Sequence, residues 1–477
     1  MKNLIVFLII FILNSVYVLA NEKLPFQFAK YKYELKVPNK LDLNISGKNY
    51  IRYLKQIKLT SKKDNLNSKV INSTKKRWVN SEIMTNQSDT YKIKIKIHGD
   101  WNDHISFPYS SLRVKVRKNN YFSQLKEFIL FKPITRNYNS EIFATLFLQE
   151  LGFLAPYTKE INLKINDNSH QKYLFQERIN KNFIERSGLR EGPIIEYDER
   201  HRWNTVRRDE NLDKVKFANI YKLDNETFIE NPDKEPVNVN KLFMVMSALS
   251  SSSKLETYLT DQNVFFEIAL SLLGACHGLI DHNRKFYFNA ISEKFVPIYY
   301  DGMAFEKNLN FCENERLTKN ENFFTMENLI IFEAKFLDKS FKEKIKKKFN
   351  ELTIDNSKFE NYWNTLEFNY SKFKEKILQV KSTKELAKEI KLNKKDYFKS
   401  LQPNYPLVYY FEDKGEYFTC FKNNNVNYKN VSLISNTGEI INLESENFCK
   451  KINRNKLVKI LKNKIFYTPS NDKDLQI

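Results

Sequence analysis

Glycine is scarce in this chain. There are 10 glycines in 477 residues, and the polar loop 98–110, between two candidate strands, holds a single one at Gly99. A mechanism that cradles phosphate in a run of glycines lacks its material here. No Cys-x-x-Cys pair occurs, so the common spacing of zinc and dithiol redox sites is absent. There is no arginine-rich arm, RNP-like strand or zinc-finger spacing. The net charge of +21 is spread along the chain rather than gathered in one patch. Nucleic acid is therefore not an expected partner. After the first 20 residues no stretch is apolar enough to cross a bilayer, which takes about 20 apolar residues.

What is present begins with a leader. Lys2 precedes an unbroken apolar run from Leu4 to Leu13, and Val18-Leu19-Ala20 offers compact residues at the positions a signal peptidase reads. Residues 1–20 read as a cleavable signal peptide, with cleavage before Asn21. The mature chain is expected in the periplasm, secreted or at the cell surface, with no transmembrane anchor after cleavage. In that setting the four cysteines are free to oxidise. Their order suggests Cys276 with Cys312 and Cys420 with Cys449, although Cys276, inside the apolar pattern LSLLGACHG, reads equally as a buried thiol.

Periodicity divides the rest. Residues 21–90 read as an N-terminal β-rich section. In 91–180, Tyr91 to Ile97 (YKIKIKI) and Leu112 to Val116 (LRVKV) alternate as half-buried strands, and Phe128 to Phe131 (FILF) forms a third. A helix follows Ser140 and ends near Gly152. Ile161 to Ile165 and Tyr173 to Gln176 are two more strands, split by the turn-forming Asn166-Asp167-Asn168-Ser169. Residues 181–400 read as mainly helical. Within them a strongly apolar helix over 263–280 leads to Asp281, then a hairpin of KFYFN and FVPIYY that closes at Asp301. Residues 401–477 switch to short β-like runs and read as a small terminal module. The fold class is α+β.

The order β-β-β-α-β-β over 91–180 is that of a protein-kinase small lobe, and the helix–Asp–hairpin–Asp unit suits the large lobe. Phosphoryl transfer is mostly positioning and charge neutralisation. It needs a cation at the phosphates, for which Lys132 at the end of the third strand is the candidate and Lys115 its rival. It needs a helix acid to hold that cation, for which Glu141 is the candidate. Asp281 and Asp301, 20 residues apart, are returned to each other by the hairpin and make a hard site for Mg²⁺ or Mn²⁺. Two acids so placed repel in an empty site, so Asp301→Asn is expected to leave the apo protein as stable or slightly more so.

The segments HGDW, SSLRVKV, FKPITRNYNSE, YLFQERINKNFIE, GPIIEYDE and LIDHNRKFYFNAISEKFVPIYYDGMAF, over roughly 90–310, resemble those of the CotH-type kinases, an exported protein-kinase-like family. The resemblance implies a two-lobed atypical kinase fold with 91–180 as small lobe and 181–400 as large lobe. It implies ATP with Mg²⁺ or Mn²⁺ as cofactors and exported proteins with Ser/Thr acceptors as substrates. By the same resemblance Asp281 takes the catalytic-loop role and Asn283 serves the catalytic loop or the metal. Asp301 holds the metal, and Glu177 lies by the nucleotide where the chain crosses between lobes. No HRD or DFG is present as such, and Tyr300 precedes Asp301. A second reading is therefore a non-catalytic kinase-like scaffold that binds an anionic surface or protein partner.

Overall fold

The computed structural model describes residues 29–60, 70–71, 75–85, 89–197, 221–223, 261–280, 283–289, 292, 294–305, 332–336 and 338–378, and six strands between 407 and 469. The expected signal peptide lies outside the described residues. Among those described, no helix is long and apolar enough to cross a membrane.

Seven strands close a barrel. In chain order they belong to β1 (Lys40–Asn44), helix α1 (Gly47–Thr60), β2 (Val79–Thr85), β3 (Thr90–Ile97), the short β4 (Ile105–Ser106) and β5 (Tyr109–Ser110), β6 (Leu112–Val116), β7 (Glu127–Phe131), helix α2 (Ser140–Glu150), β8 (Thr158–Ile165) and β9 (Gln171–Glu177). The barrel order is β1-β2-β3-β6-β7-β9-β8, and β8 meets β1 in parallel, with Leu41 opposite Leu163. The strand alternation seen in the sequence sets the faces: Ile93, Ile95 and Ile97 point into the barrel, while Lys92 and Lys94 are exposed.

The five strands and the helix expected over 91–180 are all present in the expected order. They do not form an open sheet. Strands β1 and β2, from the section expected to stand apart, complete the same barrel. An open sheet would leave β3 and β8 with unpaired backbone; β2 covers β3, and β1 bridges β2 to β8, so closure removes both edges.

Strand β7 is buried on both faces. Phe128 and Leu130 fill the barrel, whereas Ile129 and Phe131 face a second core. That core gathers α2, α4 (Asp261–Leu272), α5 (Lys339–Leu352) and α6 (Phe359–Leu378). Phe143 on α2 touches the rings of Phe349, Phe359, Tyr362 and Trp363. Truncating so enclosed a ring to Ala costs about 3–5 kcal/mol.

Between these helices the chain also forms α3 (Lys181–Arg186) and a four-stranded sheet, in the order β11 (Tyr221–Leu223), β10 (Ile194–Tyr197), β12 (Lys285–Asn289), β13 (Lys294–Ile298). The expected hairpin is thus β12–β13, with Lys285 opposite Ile298. Tyr299 N–H donates to Leu154 O, which ties the hairpin exit to the chain just past α2.

The terminal module is β-rich as expected, with sheets β14-β15-β18 and β17-β16-β19 formed by Leu407–Asp413, Glu416–Lys422, Asn430–Ile434, Ile440–Glu444, Cys449–Ile452 and Phe466–Pro469 as β14 to β19. Cys420 sits directly opposite Cys449, a placement within the Cα reach of a disulfide. Cys276 is disulfide-bonded rather than a free thiol; Cys312 lies outside the described residues.

Candidate functional site

The site forms where two tight turns meet. One follows β7: Lys132 leads into Pro133, a short 3₁₀ turn runs to Arg136, and Asn137 and Tyr138 take left-handed φ values of 52° and 59°. The other follows β13: Asp301, Met303 and Phe305 have φ of 50°, 52° and 59°. Left-handed non-glycine residues cost on the order of 1 kcal/mol each and persist where the surroundings hold them. Here the turns hold each other, because Asn137 Nδ2 donates to Ala304 O at 2.7 Å. Gly302 is required beside Asp301, since a Cβ there would strike the Tyr299 ring at 2.5 Å.

The meeting of the turns puts Arg136 against Asp301. Nη1 lies 2.9 Å from Asp301 Oδ1, and the guanidinium rests on the Phe131 ring at 4.1 Å with Tyr300 at 5.5 Å. Nη1 directs its hydrogen bond elsewhere, to Thr135 O at 2.8 Å. Arg136 Nε and Asp301 Oδ1 are buried without any hydrogen bond. Burial alone would raise the Asp301 pKa; the Arg136 charge and His277 outweigh it and hold the carboxyl far below the usual range.

His277, on the turn after α4, links Asp301 to the expected catalytic segment. Its Nδ1 is 2.8 Å from Asp301 O and 3.7 Å from Oδ1. Asn283 Nδ2 lies 3.0 Å from the same Nδ1 and donates to His277 O at 2.9 Å. Burial opposes protonation of His277, but hydrogen bonding to and charge on Asp301 prevail, and its pKa is raised. Asn283 and Asp301 therefore both meet the Nδ1 edge of one imidazole. Asp281 lies outside the described residues.

Glu141, in the first turn of α2, is fully buried. It accepts from Tyr299 Oη at 2.7 Å and from Gln176 Nε2 at 3.0 Å, and burial pushes its carboxyl up to about 7. It does not pair with Lys132. That amine reaches the other way and donates to Asp103 O at 2.9 Å in the 98–110 segment. The physical reason is the proline: Pro133 turns the chain immediately after Lys132, so the cation delivered inward is the one four residues on, Arg136. Lys115, the rival, is more than half exposed and pairs with Glu127 at 3.2 Å.

Glu177 also differs from expectation. Arg186 of α3 takes both its oxygens, at 2.9 Å and 2.5 Å, and Tyr157 N–H donates to one of them. It is a buried brace between β9 and α3, with both oxygens engaged by Arg186. His104 is buried and His98 half-buried, their rings edge to face at 6.1 Å; burial and the Arg136 charge lower His104 to about 3. Gly99 has φ +86°, and a Cβ there would overlap the His104 ring.

Three residues of this site escaped the sequence reading: Arg136, Tyr299 and Lys285. Lys285 opens β12, forms an ion pair with Glu196 and lies 4.4 Å from the Tyr300 ring. Both cations sat inside quoted segments, FKPITR and NRKFYF, so the signal was present without a local pattern to single it out. No family model matches the chain, and no curated protein matches it.

Asp301 and Asn283 offer a carboxylate and an amide, the hard oxygen donors a divalent ion takes. Among the described residues no group of three or more His, Cys, Asp and Glu stands ready to hold a metal by itself. Mg²⁺ bound through one or two carboxylates, with phosphate oxygens completing its shell, needs no more. The two buried unbonded atoms, Asp301 Oδ1 and Arg136 Nε, are an acceptor and a donor of opposite charge, which fits a metal–phosphate ligand.

Proposed function

We propose that the mature chain is an exported, ATP-dependent kinase of the CotH type, which transfers phosphate to Ser/Thr hydroxyls of exported proteins with Mg²⁺ or Mn²⁺. The supporting observation is the return of Asp301 by the β12–β13 hairpin to His277 and Asn283, beside the buried Arg136. In this reading Asp301 and Asn283 hold the divalent ion. When bound, that ion supplies charge neutralisation for the triphosphate. Asp281, by its place after the apolar helix, orients the acceptor hydroxyl. Glu141 and Tyr299 fix the turn that carries Asp301, and the apolar walls formed by Phe131 and Tyr300 keep water from the Arg136–Asp301 contact, where charge acts strongly.

One observation favours the second reading, a kinase-like scaffold. Asp301 already has a cationic partner in Arg136. Purified mature protein incubated with labelled ATP and Mg²⁺ or Mn²⁺ separates the two. Self-labelling that disappears in Asp301→Asn and in Asp281→Asn is the kinase result. Metal-dependent ATP binding should weaken in Asp301→Asn and largely survive in Asp281→Asn. Absence of labelling in the parent with either metal removes the kinase reading and leaves the scaffold.

A further inference from the structure

We infer that Arg136, rather than Lys132, is the residue that grips the phosphates, and that its ion pair with Asp301 is the resting form of that grip. The inference deepens the kinase reading and rests on it. Arg136 is 3% exposed, yet its Nε–H has no acceptor and its Nη1–H is spent on a neighbouring carbonyl. A buried guanidinium stacked on Phe131 is held in a fixed plane, which is the geometry that meets two oxygens of one phosphate. Its closest approach to its present acid is an ion-pair contact from Nη1 to an Oδ1 that accepts no hydrogen bond. Contrast Arg186, which engages Glu177 through Nε and Nη2 together. Asp301 cannot serve a divalent ion and remain the counter-charge of Arg136. Once Asp301 turns to another cation, the guanidinium needs an anion, and a nucleotide phosphate is the one this chemistry brings.

The 98–110 segment lies over this contact. Asp103 and His104 both feel the Arg136 charge, and Lys132 Nζ donates to Asp103 O. Lys132 therefore belongs to the covering segment, not to the phosphate floor.

The test is calorimetric titration of ATP with Mg²⁺, and separately of inorganic tripolyphosphate, into the parent, Arg136→Lys, Arg136→Gln and Lys132→Gln. Thermal melts of each apo variant report folding. Arg136→Gln should weaken both ligands at least tenfold. Arg136→Lys keeps the charge and loses the fork, so a folded protein with several-fold weaker binding is expected. Lys132→Gln should change binding less than threefold. The inference is overturned if Arg136→Lys binds both ligands like the parent, or if Lys132→Gln carries the larger loss. A parent that binds tripolyphosphate through Arg136 but neither binds nor uses ATP upholds the grip and defeats the kinase reading. A parent that labels itself while both Arg136 variants bind ATP normally does the reverse. A parent that binds neither ligand defeats both.

Discussion

Two buried arginine–carboxylate pairs in this molecule differ in almost every respect except their composition. Behind β9, Arg186 grasps Glu177 through two nitrogens, and a backbone N–H from Tyr157 adds a third donor. Where the post-β7 and post-β13 turns meet, Arg136 approaches Asp301 to 2.9 Å through Nη1, yet Arg136 Nε and Asp301 Oδ1 stay without a hydrogen bond. The first pair sits on regular elements. The second sits on turns with left-handed residues on both sides. A buried charge that is fully satisfied braces a fold, whereas one left partly unsatisfied keeps interaction capacity for something else. The contrast supports a structural role for Glu177 and a ligand-directed one for Asp301 and Arg136.

The largest effect should come from the complete pair. Glu177→Gln leaves Arg186 buried without its counter-charge and should destabilise the protein by about 3–5 kcal/mol in denaturant unfolding. A loss below about 1 kcal/mol would mean that the pair is not the brace described.

Next in size is the pH response of Glu141. Its folded pKa is raised from 4.5 to about 7, so the folded state holds a proton that the unfolded state has released. Stability from this group is complete below pH about 4.5 and is lost as pH rises through 7, by up to about 3 kcal/mol at 1.36 kcal/mol per unit. His277, also raised, slopes the same way at the upper end of that window. Glu141→Gln should flatten the decline between pH about 5 and 7. A variant with the parent's full slope would show that Glu141 is not the titrating group.

The incomplete pair should matter less. Asp301→Asn should destabilise the apo protein by roughly 2 kcal/mol, because Arg136 and His277 both lose a charge partner. The expectation of two facing acids rests on Asp281, which lies outside the described residues; among those described, the ion-pair partners of Asp301 are Arg136 and His277. A thermal midpoint that rises in Asp301→Asn would restore the acid-pair view. Smallest of all, Lys132→Gln removes one hydrogen bond from a partly exposed amine and should cost under about 1 kcal/mol.

The parts legible beforehand were those with local patterns. Alternation marked β3 and β6, the short apolar FILF run marked β7, and the stretch between 281 and 301 marked the β12–β13 hairpin that leads to Asp301. Strand β1 escaped as a barrel member because KLDLN holds two apolar residues, too few to show which edges it will join. The Lys132–Glu141 pair was expected from strand and helix order, and Pro133 defeated it by turning the chain one residue too soon.

Sequence alone was enough for the strands and helix of 91–180, their order, and the hairpin that leads to Asp301, because periodicity and turn chemistry act over a few residues. Tertiary structure decided the rest. The parallel contact of β1 with β8 joins residues about 120 apart in the chain. Which cation meets Asp301 and which donors meet Glu141 and Glu177 were likewise settled only by packing. A buried charge takes whichever partner the fold brings within about 3 Å once water is excluded, and nothing in a residue's own neighbourhood of sequence records that distance.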